Sequence, residues 1–257
     1  MTPKRYKLLI AYDGTNFHGW QRQITREGVE LRTVQGVILT AMQRLLAQPV
    51  NLVGASRTDT GVHAMGQVAH FEATSRVPVE RMAKAITYKL PPDIEVREAQ
   101  EVPPTFDAIS GAKNKQYRYR IYCSKHNPLG IRHMVYHCKF DLDVDRMNDA
   151  ASRLLGTHDV EGLSAASHGR ISTIRTIYDC KVEAVDDQIH IIVQGNGFLY
   201  NMVRIIAGTL MEVGRGHFEP SVIDTIHETG NRRNAGPTLP PQGLCLEWIS
   251  YDEVTDS

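Results

Sequence analysis

Apolar positions along the chain alternate between two periods. Residues 5–13 alternate loosely and end in the turn dipeptide Asp13-Gly14, which predicts a first strand. From Val34 the spacing becomes helical, with Val34, Val37, Ile38, Ala41, Leu45 and Leu46 on one face and Thr33 placed as the N-cap. Between these elements lie almost twenty residues without apolar period, holding Trp20, Arg22, Arg26 and Arg32; connections of that length are often functional. Strands are predicted at 51–54 and 66–73. A second helix follows with Val79, Met82, Ala83, Ile86 and Leu90 on one face, stopped by Pro91-Pro92. A strand at 94–102 closes a βαββαβ order, and Pro103-Pro104 marks a boundary.

The same order returns in the second half. Strands are predicted at 116–123 and, shorter, at 134–140, then a helix at 144–155. Two strands follow, at 173–185 and 189–194, joined by Asp186-Asp187. A helix at 199–213, a short one near 221–228 and a strand at 244–251 complete the chain. The expectation is an α+β protein of two ferredoxin-like βαββαβ halves, residues 1–104 and 105–257. They would form a pseudo-symmetric curved, mainly antiparallel sheet with flanking helices.

Composition narrows the class. With 42% hydrophobic and 23% charged residues the chain is an ordinary globular protein of 257 residues. Lys and Arg total 29 and Asp and Glu total 29, so any nucleic-acid function must rest on local clusters. Near the N-terminus only Leu8–Ala11 are continuously apolar, too few for a signal-peptide core, and no run approaches a membrane span. The four cysteines form no Cys-x-x-Cys pair, and are expected to be reduced thiols of a cytoplasmic protein.

Candidate chemistry lies in a few segments. In Gly54-Ala55-Ser56-Arg57-Thr58-Asp59-Thr60-Gly61-Val62-His63-Ala64, an Arg and an Asp stand two apart in a turn between apolar strands. Pairing with Arg57 would keep Asp59 ionised and oriented, as a nucleophile or base requires. The plainer reading is a surface turn capped by Asp59. Asp59-Thr60-Gly61 also spells the Asp-Thr-Gly of aspartic proteases, but that chemistry needs two carboxylates, and a single copy would require a symmetric dimer. Cys123, His126, His133, His137 and Cys138 superficially suit zinc. However, consecutive His137-Cys138 on a strand point to opposite faces, which favours core and surface roles. From Ser110 to Val135 there are six bases (Lys113, Lys115, Arg118, Arg120, Lys125, Arg132) and no acid, interleaved with Tyr117, Tyr119 and Tyr122. Such mixing suits phosphate contact and base stacking, or else one Tyr-rich buried sheet face with solvated arginines. Finally, Gly195-Asn196-Gly197 opens a helix with Arg204 at the edge of its apolar stripe.

These segments together resemble the bacterial tRNA pseudouridine synthase A family. The matching pieces are Tyr12-Asp13-Gly14-Thr15, Gly19-Trp20-Gln21-x-Gln23, Thr33-Val34-Gln35-Gly36, Arg57-Thr58-Asp59-x-Gly61-Val62-His63-Ala64 and Tyr117-Arg118-Tyr119. They continue through Gly156-Thr157-His158-Asp159, Thr173-Ile174-Arg175, Gly197-Phe198-Leu199-Tyr200-Asn201-Met202-Val203-Arg204 and Gly243-Leu244-x-Leu246. The resemblance implies an isomerase that converts uridine to pseudouridine in the tRNA anticodon stem-loop, typically at positions 38–40. It implies a homodimer whose chains fold as two ferredoxin-like halves around a central positively charged cleft, with no metal or organic cofactor. Asp59 would be the catalytic aspartate. Arg57 would pair with it and help displace the target nucleotide, and Tyr117 would stack on the flipped base. Arg204 would pair with Asp59 from the other side, and Leu244 or Leu246 would line the pocket. Arg22, Arg26, Lys113, Lys115, Arg118 and Arg215 are the candidate RNA contacts. They are expected to share one cleft with Arg57 and Arg204, and the acids at 141–149 and after Phe218 to lie outside it.

The chain departs from the family pattern in places. Where the family usually has Phe-His-Ala-Arg-Phe-Ser-Ala, it reads Phe106-Asp107-Ala108-Ile109-Ser110-Gly111-Ala112, and Lys115 stands where Arg is common. Val160 and Leu163 replace aromatics. The alternative function is a non-catalytic RNA-binding or chaperone protein on the same fold.

Overall fold

The structure is a computed structural model that describes residues 2–165 and 172–251. The described residues form ten strands, paired mainly antiparallel, and five α-helices, so the chain is α+β as the periodicity predicts. Two compact units divide it: Met1–Lys113 together with Leu246–Ser257, and Asn114–Cys245.

The first unit runs β1 (Lys4–Tyr12), α1 (Val34–Leu46), β2 (Val53–Gly54), β3 (His63–Ala73), α2 (Val79–Thr87) and β4 (Ile94–Val102), the βαββαβ order read from the sequence. β1 lies between β3 and β4, antiparallel to both, and β2 pairs antiparallel with β3. Leu8 and Ile10 of β1 are fully buried, as alternation requires for a strand with one face on the core. Thr33 caps α1 as expected, its hydroxyl accepting from the Gly36 N–H at 3.3 Å. The buried face of α1 is Val34, Ile38, Ala41 and Met42, so the helix is turned slightly from the predicted stripe, with Leu45 and Leu46 only half-buried. α2 buries Met82 and Ile86 completely, each a contribution of about 1.5–3 kcal/mol. It ends three residues before Leu90 because the Thr87 hydroxyl turns to β4, bridging both the N–H and the carbonyl of Val96.

In the second unit, β5 (Asn114–Cys123), β9 (Gln188–Gly195), β8 (Ile174–Val185) and β7 (Gly156–Asp159) pair antiparallel in that order, and β6 (Tyr136–Cys138) adds a short parallel pairing to β5. The strand at 156–159 was not predicted: its sequence, Gly-Thr-His-Asp, has no alternation, and it exists only as an edge pairing to β8. α3 (Val144–Ser152) packs on β8, and the Asn148 side chain bonds both the N–H and the carbonyl of Val182. α4 (Met202–Gly214) starts three residues later than the apolar stripe suggested, because Asn201 adopts left-handed backbone (φ 61°) and breaks the run. α5 (Val222–Thr229) follows. β10 (Leu244–Ser250) is the last strand, and its residues from Leu246 on count with the first unit, beside β3.

Candidate active site

The residues before α1 that showed no apolar period are ordered around the turn that carries Asp59. Trp20 is buried, its backbone N–H donating to the Thr58 carbonyl at 3.0 Å. The Gly61 N–H donates to the Phe17 carbonyl at 3.2 Å. Two glycines make the approach possible. A Cβ on Gly14 would lie 2.0 Å from the Val62 carbonyl oxygen. Gly19, at φ +81°, would place one 2.6 Å from the Thr58 carbonyl oxygen.

Within the turn, Arg57 is exposed, Thr58 buried and Asp59 half-buried. Thr58 points inward, its hydroxyl 2.7 Å from the Tyr12 phenol at the end of β1. On the other flank the fully buried amide of Gln67 on β3 accepts from the Ser56 N–H (3.2 Å) and donates to the Ser56 carbonyl (2.6 Å), extending the β2–β3 pairing by one side chain. His63 is buried, and its Nδ1 accepts from the Gly14 N–H at 3.0 Å. The turn is thus held at Ser56, Thr58, Gly61 and Val62, with Arg57 exposed and Asp59 half-buried between these fixed points. A carboxylate so placed is pre-oriented, the condition for acting on a bound substrate without reorganisation.

In the second unit, Tyr117, Tyr119 and Ile121 share the buried face of β5, and Arg118 and Arg120 the other, as strand alternation predicts. Tyr117 meets the Phe198 ring edge-on, with centroids 5.2 Å apart. Burial pushes the Tyr119 phenol well above its ordinary range, and it donates to the Pro240 carbonyl at 2.7 Å. Arg204 is oriented from the first turn of α4 by two bonds: Nε to the Leu239 carbonyl (2.6 Å) and Nη1 to Asn201 Oδ1 (2.8 Å). Leu244 and Leu246 are buried.

The candidate RNA contacts are distributed unevenly. Residues 23–31 form a small arm, with Ile24 bridged to Glu30, and Arg26 is exposed on it. Arg22 at its base is engaged by Glu30 at 2.7 Å. Lys113 is exposed, and Lys115 half-buried on β5. Arg118 contacts His190 Nδ1 (3.1 Å) from the face of β5 opposite Tyr117, so those two side chains do not address the same surface of the strand. Arg215 pairs with Glu212 and lies 4.3 Å over the Phe140 ring, at the end of α4. Asp141, Asp143, Asp145 and Asp149 are exposed; Asp252, Glu253 and Asp256 lie outside the described residues.

The zinc candidates are placed differently from a ligand set. His126 and His133 are exposed, and His137 Nε2 bonds the Ser124 carbonyl at 2.7 Å. Cys123 and Cys138 are partners in the β5–β6 register. Among the described residues no group of three or more His, Cys, Asp or Glu converges.

A profile of the family described as tRNA pseudouridine synthase matches residues 8–109 and 150–252. The chain is 45% identical over 248 residues to the tRNA pseudouridine synthase A of Acetivibrio thermocellus, covering 96% of this chain and 100% of that protein. The chain belongs to the tRNA pseudouridine synthase A family. It is also 44% identical over 250 residues to the tRNA pseudouridine synthase A of Anoxybacillus flavithermus, with 97% and 99% of the two chains covered. The first family match contains the Asp59 turn, and the second contains Arg204, Arg215, Leu244 and Leu246. Tyr117, Lys113, Lys115 and Arg118 fall in the interval between the two matches, which the full-length relatives nevertheless span.

The departure from the family pattern at 106–112 has a local structure. Asp107 Oδ1 accepts from the N–H groups of Ile109 (2.9 Å) and Ser110 (2.8 Å) and from the Ser110 hydroxyl, so it closes a turn. Those bonds, led by the Ser110 N–H, hold its carboxyl below the ordinary range. Tyr12, Thr58, Gln67 and Phe198 acquire their parts in these arrangements only here. The first, second and fourth stood in the motif pieces and Gln67 just beyond one, but none carries chemistry that periodicity or charge would single out.

Proposed function

We propose that the protein isomerises uridine to pseudouridine in the anticodon stem-loop of tRNA, with Asp59 as the catalytic group. Family membership over nearly the whole chain supports the reaction, and the observation that carries the site is the Asp59 turn. Its backbone is locked to the sheet on both flanks, which fixes where the half-buried Asp59 and the exposed Arg57 stand. In the reaction the N1–C1′ bond breaks, the uracil turns, and C5 bonds to C1′ while the C5 proton leaves and N1 regains one. Nothing is oxidised or reduced, so the balance calls for no metal or organic cofactor. The base must leave the helical stack, and an aromatic platform offsets part of that unstacking.

Tyr117 is assigned the stacking role, with its edge-on contact to Phe198 limiting its freedom to turn. Arg57 is assigned to orient Asp59 and help displace the nucleotide. Arg204, Leu244 and Leu246 keep the roles their motif positions imply. Arg26 and Lys113, exposed, suit phosphate contact directly; Arg22 and Arg215 must exchange a carboxylate partner to do so. The fold reading extends to two ferredoxin-like halves, 1–104 and 105–257, in a curved pseudo-symmetric arrangement. The strand order β4-β1-β3-β2 in the first unit supports it. A homodimer acting in the cytoplasm completes the proposal; no helix among the described residues is long and apolar enough to cross a membrane.

The test is release of tritium from uridine labelled at C5 in anticodon stem-loop RNA. Wild-type protein is expected to release it. Asp59→Asn is expected to abolish release, with RNA affinity within about threefold, because one neutralised carboxylate removes no phosphate contact. A folded protein that binds several tRNAs and releases no tritium would instead be the RNA-binding or chaperone alternative.

A further inference from the structure

The Asp59 turn is tied to the sheet by one buried side-chain hydrogen bond immediately before the aspartate. Tyr12 stands at the end of β1, in register with Ala64 of β3, so its ring is carried by a central strand. Its phenol oxygen lies 2.7 Å from the Thr58 hydroxyl, in a buried setting where both groups are almost solvent-free. Trp20 lies 6.1 Å from the Tyr12 ring, and its backbone N–H takes the Thr58 carbonyl. Thr58 is therefore held by side chain and backbone at once, and the direction in which Asp59 leaves the backbone follows from it.

We propose that Tyr12 and Thr58 are positioning residues for Asp59: their hydrogen bond sets where its carboxylate stands. The proposal rests on Asp59 being the catalytic group. Neither hydroxyl needs to touch the uridine. Their effect is orientation, and a displacement of about 1 Å at a reacting group costs on the order of 100-fold in rate.

The experiment separates orientation from stability. Removing one partner breaks a buried hydrogen bond and destabilises the fold, whereas removing both with shape-matched apolar groups costs less than the two single losses together. Tyr12→Phe and Thr58→Val are each expected to lower kcat by about 10–100-fold, with the tRNA Kd within about twofold and a lowered Tm. Thr58→Ser, which keeps the hydroxyl, is expected to stay within about threefold of wild-type kcat. The double variant Tyr12→Phe/Thr58→Val is expected to regain most of the lost Tm while its kcat stays low. Recovery of kcat together with Tm in the double variant would overturn the proposal, as would wild-type kcat in either folded single variant. Should Tyr12→Phe fail to fold, Thr58→Val against Thr58→Ser decides by the same criterion. Asp59→Asn is measured alongside. Retained turnover there sinks the catalytic assignment itself, whereas loss there with normal kcat in the hydroxyl variants sinks only the positioning role.

Discussion

Gly14 shows how a single residue governs the site. Its α-carbon meets the backbone of the Asp59 turn so closely that an added methyl group would stand 2.0 Å from the Val62 carbonyl oxygen, and a backbone atom cannot swing aside as a flexible side chain does. Gly14→Ala is expected to destabilise the protein by about 1–3 kcal/mol, as overpacking does, measured by denaturant midpoint. It should also lower kcat by shifting the turn. Unchanged stability would mean that the turn adapts. The sequence marked Asp13-Gly14 as a turn signal, and the turn is there, but the reason glycine is needed is contact with a segment about fifty residues away. Periodicity carries no information on such contacts.

At the level of elements, β7 and α5 meet through a pair of histidine rings. His158 and His227 stack with centroids 4.2 Å apart and planes 9° from parallel, and His158 Nε2 bonds the Leu155 carbonyl. Burial, and then the neighbouring His158, push the His227 imidazole down to about 4, with Asp224 acting in the opposite direction. Its folded value lies below the unfolded value of about 6.5, so the unfolded chain binds the extra proton first. The contribution of neutral His227 is complete above pH 6.5 or so and declines as pH falls toward about 4. Thermal stability is therefore expected to drop across that window, and His227→Phe to flatten the drop. His70 and His190 shift downward for the same reason, burial, so part of the slope should persist. An identical slope in His227→Phe would show that His227 is not its source. β7 itself was not legible in the sequence. An edge strand with no alternating apolar residues exists by virtue of its partner, whereas β1, α1 and β4 were legible because each buries a periodic face.

For the whole molecule, charge has to be read by place. The formal net charge is zero, with 29 bases against 29 acids, so RNA affinity must come from a limited number of phosphate contacts. Arg26 makes no ion pair among the described residues, while Arg22 is engaged by Glu30. Affinity for tRNA is expected to fall with salt, and Arg26→Gln to reduce the slope of log K against log salt by about 0.7–0.9, with kcat at saturation unchanged. Arg22→Gln should change it less, since RNA must first displace a carboxylate. Equal effects of the two replacements would show that the Arg22–Glu30 pair does not persist in solution. The amino-acid sequence by itself determined the element order of the first unit, the α+β class, the opposed faces of β5 and, through its motif pieces, the family. These follow from local periods and local chemistry, which a linear chain carries in full. Only the tertiary structure decided that Tyr12, Trp20 and Gln67 hold the Asp59 turn, that Asp107 closes a turn, and that Tyr117 meets Phe198 while Arg118 meets His190. Those arrangements arise when strands remote in sequence come into register, and burial then requires each polar side chain to find a hydrogen-bond partner there.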